Sequence, residues 1–370
     1  MEKKIGLSAI CFNEKPSGAK QRFIGINNEL IKKLSYCQFF IIEPQDYNIS
    51  KHFSEFNNIE VIKTSFNTKR NLNYQLKKYF FRISKLVSKY NLDFYENNVI
   101  PVKKIKNCKN ILTIHDLRML SKEYNPLYKI YRQVFSYSLK NSDHLIAVSN
   151  QTKKDILAFQ KHPQINVIPN GINIKKFESI TELELSDIKQ KYALPKEFLL
   201  AVGHLEPRKN YLKLIKAYKN LKNERNLGPL FIVGNNNGQK RELIKLISEL
   251  ELDQSGFIYS GLSDKELICF YKLSSLVLFV SYLEGFGIPI LEAMASGKPI
   301  LLSDINVFRE LTENQYIYVN PFNVKAIQNG IERMLEDKFL INSQISYNLK
   351  RVREFSYSQI ADEMLKIYST

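Results

Sequence analysis

A chain of 370 residues with 44% hydrophobic and 25% charged residues has the composition of a globular protein and the length of two ordinary domains. No apolar run nears the roughly 20 residues that span a bilayer, and Met1-Glu2-Lys3-Lys4-Ile5-Gly6-Leu7 lacks a long apolar signal core and cleavage site, so a cytoplasmic protein is expected. The net charge of +17 points to an anionic partner, and it is unevenly spread: residues 1–180 hold 30 basic and 14 acidic residues, residues 181–370 hold 24 and 23. Cys11, Cys37, Cys108 and Cys269 lie far apart with no Cys-x-x-Cys pair, which disfavours disulfides and structural zinc and predicts buried, reduced thiols.

In chain order, Lys4–Ile10 reads as a short strand, a loop holds Pro16, Ser17 and Gly18, and helical spacing runs from about Phe23 to Leu34. Further apolar runs at residues 39–42, 61–62, 110–114 and 143–148 alternate with helix-length segments. A polar, strand-free stretch covers about 172–196. The alternation then restarts with runs at 197–203, 230–234, 257–260, 276–280 and 298–302, and residues 355–368 carry helical spacing. Short buried strands alternating with helices predict an α/β protein with parallel, doubly wound sheets in two domains.

Chemistry concentrates in two strand-exit segments. Residues 282–297 follow a buried run, hold Gly285 and Gly287 where the backbone must turn, and open a helix with Pro289 in its first turn, where a missing N–H costs little. A helix N-terminus at the carboxyl edge of a parallel sheet offers unpaired N–H groups and partial positive charge to a diphosphate. Glu284 before the helix and Glu292 inside it are acceptors for sugar and ribose hydroxyls; the plain alternative is two acids favourably placed at a helix dipole. The second segment, Val202-Gly203-His204-Leu205-Glu206-Pro207-Arg208-Lys209-Asn210, sets two adjacent cations at another strand exit. Arg208 and Lys209 suit a leaving diphosphate as its charge grows, or else form a basic surface turn.

Together these segments resemble family 4 of the retaining glycosyltransferases. Gly203 with Arg208 and Lys209, the run Gly261-Leu262-Ser263-Asp264, and the Glu284/Glu292 pair carry the likeness in the second half; Thr113-Ile114-His115-Asp116, Ala147-Val148-Ser149, Val167-Ile168-Pro169-Asn170-Gly171 and Phe355-Ser356-Tyr357 carry it elsewhere. The resemblance implies a GT-B fold: two facing Rossmann-like domains, an acceptor-binding one at 1–185, a nucleotide-sugar-binding one at 186–352, and a helix at 353–370 that crosses back to the first. It implies His115, Arg208, Lys209 and Glu284 as catalytic residues. Donor binding would fall to Gly18, Gly203, Arg208, Lys209, Gly234, Leu262, Glu284, Gly285, Phe286, Gly287, Ile288 and Glu292. The glycine-rich loop usual after the first strand is reduced to Pro16-Ser17-Gly18-Ala19-Lys20-Gln21-Arg22, where Lys20 and Arg22 are candidate charges for a donor or acceptor phosphate. No Asp-x-Asp pair occurs, so no metal and no other cofactor is expected; the donor is the nucleotide sugar.

Residues 61–109 hold twelve Lys or Arg and two acids. In residues 74–87 apolar positions recur at helical spacing, so the segment is either a peripheral helix on an anionic membrane, which would place the protein on the inner face of the cytoplasmic membrane, or an amphipathic helix packed on the sheet with a solvated basic face. No nucleic-acid module is present. The reading is a retaining, metal-independent hexosyltransferase using GDP-mannose or a UDP-hexose and a saccharide acceptor, lipid-linked, in lipopolysaccharide or capsule synthesis. The alternatives are a non-catalytic GT-B scaffold and a GT-B nucleotide-sugar epimerase.

Overall fold

The computed structural model describes residues 3–68, 82, 83, 85–253 and 256–369, and divides into two compact units: Met1–Gly171 with Tyr357–Thr370, and Ile172–Ser356. The first division falls at Gly171, ahead of residue 185, because the helices Ile174–Glu178 and Glu182–Lys191 belong to the second unit. Lys191 pairs with Glu266 at 2.6 Å, and Tyr192 packs edge-on against Phe270 with centroids 5.2 Å apart. The last division falls after Ser356, since Ile172 N donates to Phe355 O at 2.8 Å and the Phe355 ring meets Phe286.

The first unit is a parallel seven-stranded sheet in the order β3-β2-β1-β4-β5-β6-β7: β1 Lys4–Ser8, β2 Gln38–Glu43, β3 Ile59–Lys63, β4 Phe94–Asn97, β5 Lys109–Ile114, β6 His144–Ala147 and β7 Ile165–Val167. Its first helix spans Gly18–Lys33, beginning five residues before the apolar spacing does, because the Ser17 side chain caps it by accepting from Lys20 N at 3.2 Å. The helix Tyr357–Tyr368 returns to this unit, burying Ile360, Met364 and Ile367 beside Phe23, Ile26 and Leu30. Strand β4 escapes an apolar-run reading because Glu96 and Asn97 are polar, yet both are buried. Of the segment 74–87, only residues 82, 83 and 85–87 lie within the described residues. There Ile83 and Val87 are buried with Phe40 and Ile42 while Lys85 is exposed, the arrangement of a helix packed on the sheet with a solvated basic face.

The second unit is a parallel six-stranded sheet, β10-β9-β8-β11-β12-β13, from β8 Leu199–Val202, β9 Leu230–Val233, β10 Gly256–Tyr259, β11 Leu276–Phe279, β12 Ile300–Ser303 and β13 Tyr318–Val319. Strands β8, β9, β11 and β12 are buried at every position, which is why they read as unbroken apolar runs. The four cysteines are free thiols, and among the described residues no helix is long and apolar enough to cross a membrane.

Candidate functional site

In the second unit the turn after β8 and the loop after β11 meet at the carboxyl edge of the sheet. Pro207–Lys209 forms a single 3-10 turn, and Asn210 in the left-handed region (φ 61°) redirects the chain into the helix Tyr211–Glu224. The β11 loop reaches Gly287, whose φ of 116° favours glycine, and then the helix Ile288–Ala295 with Pro289 in its first turn. Backbone bonds tie the two segments together: Tyr282 N donates to Arg208 O at 2.8 Å.

Between them lies a closed ion cluster. Arg208 donates to Glu284 Oε2 and to Leu283 O (3.0 Å), and its Nη2 is 2.6 Å from Glu206 Oε1. Lys209 Nζ is 2.7 Å from Glu284 Oε1, which also accepts from Ser281 Oγ at 2.8 Å. Lys209 is 7% exposed and the Glu284 side chain 9%, so these charges interact where water screens them poorly. Burial by itself would raise the Glu284 carboxyl, but Lys209 and Arg208 outweigh it and hold it at about 2. Because that value lies below the ordinary 4.5, the pairing stabilises the fold above pH 4.5 and is lost as pH falls toward 2.

Two cations and two carboxylates here sum to zero. The guanidinium and ammonium are held in fixed orientations, and the Glu284 carboxylate is ionised at any physiological pH.

Glu292 lies one turn into the helix, within reach of the Lys209 charge, and accepts from the buried Tyr271 hydroxyl at 3.0 Å. Burial, reinforced by Asp264 and opposed by the Tyr271 hydrogen bond, pushes its carboxyl up to about 7. The loops after β9 and β10 adjoin the site: Ser260 Oγ donates to Gly234 O at 2.8 Å, and Leu262 follows in the same turn. A side chain at Gly234 would place its Cβ 1.9 Å from Gly203 O, and one at Gly203 would meet Lys209 Cε at 2.9 Å. Phe286 is turned inward, its ring 6.0 Å from that of Phe355. His204 is exposed.

The other two expected residues, Gly18 and His115, belong to the first unit, at the carboxyl ends of β1 and β5. Gly18 opens its helix. His115 Nε2 is sealed from solvent without a hydrogen-bond partner, and burial together with the Arg22 charge lowers its pKa to about 3, so the imidazole is neutral. Arg22 is 3% exposed, donates to Pro169 O and faces the buried Glu96, which accepts from Tyr368 OH at 2.9 Å. Its Nη1 is thus engaged inside the unit, while its buried Nη2 has no hydrogen-bond partner. Lys20 is occupied locally, donating to Asn13 O at 2.8 Å.

Sequence reasoning missed Glu206, Ser281, Asn210 and Tyr271. Glu206 was open to notice as an acid two residues before Arg208 in one turn; Tyr271 gives no local signal, since only the packing of the helix Asp264–Leu273 brings it to Glu292. Among the described residues no group of three or more His, Cys, Asp or Glu is placed to hold a metal ion.

Residues 185–352 match the family model for glycosyl transferases group 1, and residues 44–176 the model for glycosyltransferase family 4. The chain is 27% identical over 263 residues to the serotype-specific mannosyltransferase WbdA of Escherichia coli, a match covering 68% of this chain and 32% of that protein, so it spans about a third of the length of that relative. It is 32% identical over 227 residues to the O-antigen chain mannosyltransferase RfbU of Salmonella typhimurium, covering 60% of each. Its fold is like that of Anabaena HepE, solved in complex with UDP and glucose, with a TM-score of 0.78 at 19% identity over 100% of both chains. With two Rossmann-like units of the GT-B kind and both family segments matched, the chain belongs to glycosyltransferase family 4.

Proposed function

We propose that the protein is a retaining hexosyltransferase that moves a hexosyl residue from a nucleotide sugar to a saccharide acceptor, lipid-linked, during synthesis of a cell-surface polysaccharide such as O-antigen. The observation that carries this reading is the buried Arg208–Lys209–Glu284 cluster beside a helix N-terminus at a sheet's carboxyl edge. The mannosyltransferase relatives favour GDP-mannose as the first donor to test, with UDP-hexoses next. Arg208 and Lys209 neutralise charge as the C1–O bond to the diphosphate breaks. Glu284 accepts from donor-sugar hydroxyls and Glu292 from a ribose hydroxyl. The acceptor hydroxyl attacks C1 on the face the diphosphate leaves, and its proton passes to the departing phosphate oxygen.

The test is assay of a nucleotide-sugar panel with a lipid-linked acceptor, preceded by thermal shift with GDP and UDP. A protein that binds nucleotide but neither hydrolyses nor transfers is a scaffold, and release of an epimerised nucleotide sugar identifies the epimerase.

Two expectations follow for the donor site. Hydroxyl donors bind the ionised form of Glu292, so nucleotide affinity should rise with pH, by up to about tenfold per unit below pH 7, and level off above it. Calorimetric titration from pH 5.5 to 8.5 measures this against Glu292→Gln, which retains only the pH dependence of the nucleotide itself. Since protein cations supply the charge that a carboxylate-held metal would otherwise provide, EDTA should leave turnover unchanged; a requirement for added magnesium or manganese contradicts that.

We also infer that the basic first unit meets an anionic membrane or the phosphate of a lipid carrier by electrostatics alone, since the described apolar positions of the basic helix are packed in the core. Replacing Lys77, Lys78, Lys85 and Lys89 with Gln should reduce co-sedimentation with anionic vesicles at low salt and leave donor binding intact. Unchanged sedimentation refutes the inference.

A further inference from the structure

Tyr282 and Phe322 form a stacked aromatic pair on the same sheet edge, with ring centroids 4.9 Å apart and planes 22° from parallel. Phe322 is 69% exposed, so the outer face of the stack meets water, and the Lys213 ammonium stands 5.6 Å from the centre of the Tyr282 ring. The pair is fixed in place. Tyr282 N is bound to Arg208 O at 2.8 Å, and Phe322 N donates to Asn320 Oδ1 at 2.9 Å. The buried Asn210 amide bridges Val280 O (3.0 Å) and Pro321 O (2.7 Å), joining the segments after β8, β11 and β13 into one shelf. Flat apolar rings held rigidly at the surface beside a polar site are the features of a ligand platform.

Strand order indicates the ligand. In β10-β9-β8-β11-β12-β13 the Arg208–Lys209 turn and the Glu284 loop follow the central strands β8 and β11. Gly234 and Leu262 follow β9 and β10 on one side, and Phe322 follows β13 on the other. A nucleotide sugar whose base lies toward Gly234 and Leu262 and whose diphosphate meets Arg208 and Lys209 ends with its hexose at Glu284. The shelf adjoins that position, since Tyr282 stands two residues before Glu284 in the same loop and is hydrogen-bonded to Arg208 O.

Resting on that reading of the donor site, we propose that Tyr282 and Phe322 form an acceptor subsite that takes the apolar face of a pyranose ring. A pyranose carries C–H bonds on its faces and hydroxyls around its rim. Stacking on an aromatic plane removes the apolar face from water and leaves the rim free for solvent.

The experiment is saturation-transfer NMR on the full chain with methyl α-D-mannopyranoside and methyl α-D-glucopyranoside, with saturating GDP or UDP. Phe322 is exposed, so Phe322→Ala and Phe322→Leu should fold, and melting curves check this. The glycoside signal should fall about five- to tenfold in both, because Leu keeps apolar bulk but not the ring plane, and persist in Phe322→Tyr. No signal from either glycoside in the wild type, or equal signal in wild type and Phe322→Ala, overturns the proposal. Stabilisation by GDP or UDP, read on the same samples, tests the donor site separately: its absence defeats that reading whatever the glycosides do.

Discussion

Glu284→Gln is expected to lower glycosyl transfer by at least about 100-fold, the scale for removing one positioned electrostatic group, and Lys209→Met to do the same. Each variant removes one charge from a cluster in which every charged group has a partner: Glu284 balances Lys209 and Arg208 at once, and Lys209 is held by Glu284 at 2.7 Å. Gln keeps the shape of Glu284 and hydrogen-bonding oxygen, so its loss of activity is chemical. Ala at the same position should also cost about 3 kcal/mol of stability, since it leaves buried Lys209 without its counter-ion. Initial rates at saturating donor, set beside melting curves, separate the two effects. Near-normal turnover in a folded Glu284→Gln protein would remove Glu284 from the mechanism.

Gly234→Ala is expected to destabilise the second unit by about 2 kcal/mol and to abolish nucleotide stabilisation. Its Cβ would lie 1.9 Å from Gly203 O and 2.7 Å from Gly203 C, and backbone at the exit of β8 has no flexible end to swing aside. The exits of β8 and β9 must separate, which drags Gly203 away from Lys209. Gly256→Ala, in neighbouring β10, is the control: the nearest atoms to its Cβ would be Ile247 side-chain atoms at 3.5 Å, ordinary contact, so its denaturation midpoint should stay near that of the wild type. Equal midpoints for both variants would show that the β8–β9 contact is not tight.

The strands of the second unit were legible because central parallel strands are buried on both faces and leave unbroken apolar runs, as in Leu276–Phe279 and Leu230–Val233. The ion cluster was legible as two strand-exit segments with opposite charges, but their pairing was not: Arg208 and Glu284 are brought together by strand adjacency of β8 and β11, a tertiary fact. Strand β4 was hidden by Glu96 and Asn97, polar residues whose partners are tertiary: Tyr368 on a distant helix for Glu96, and Ile111 O on the neighbouring strand for Asn97. The burial of Arg22 was hidden in the same way. A cation in a loop-helix junction reads as a surface charge until its partners, Pro169 O and the Glu96 carboxylate, are known.

The helix Tyr357–Tyr368 sets an order of assembly. Residues 172–356 form a contiguous unit, so a ribosome delivers all of it before the helix that the first unit needs. Until then Phe23, Ile26 and Leu30 lack their cover, and Glu96 waits for Tyr368, an acceptor made 272 residues before its donor. The nascent first unit must therefore persist half-finished while the second completes, which makes its exposed face of the helix Gly18–Lys33 the place where premature association with other chains would begin.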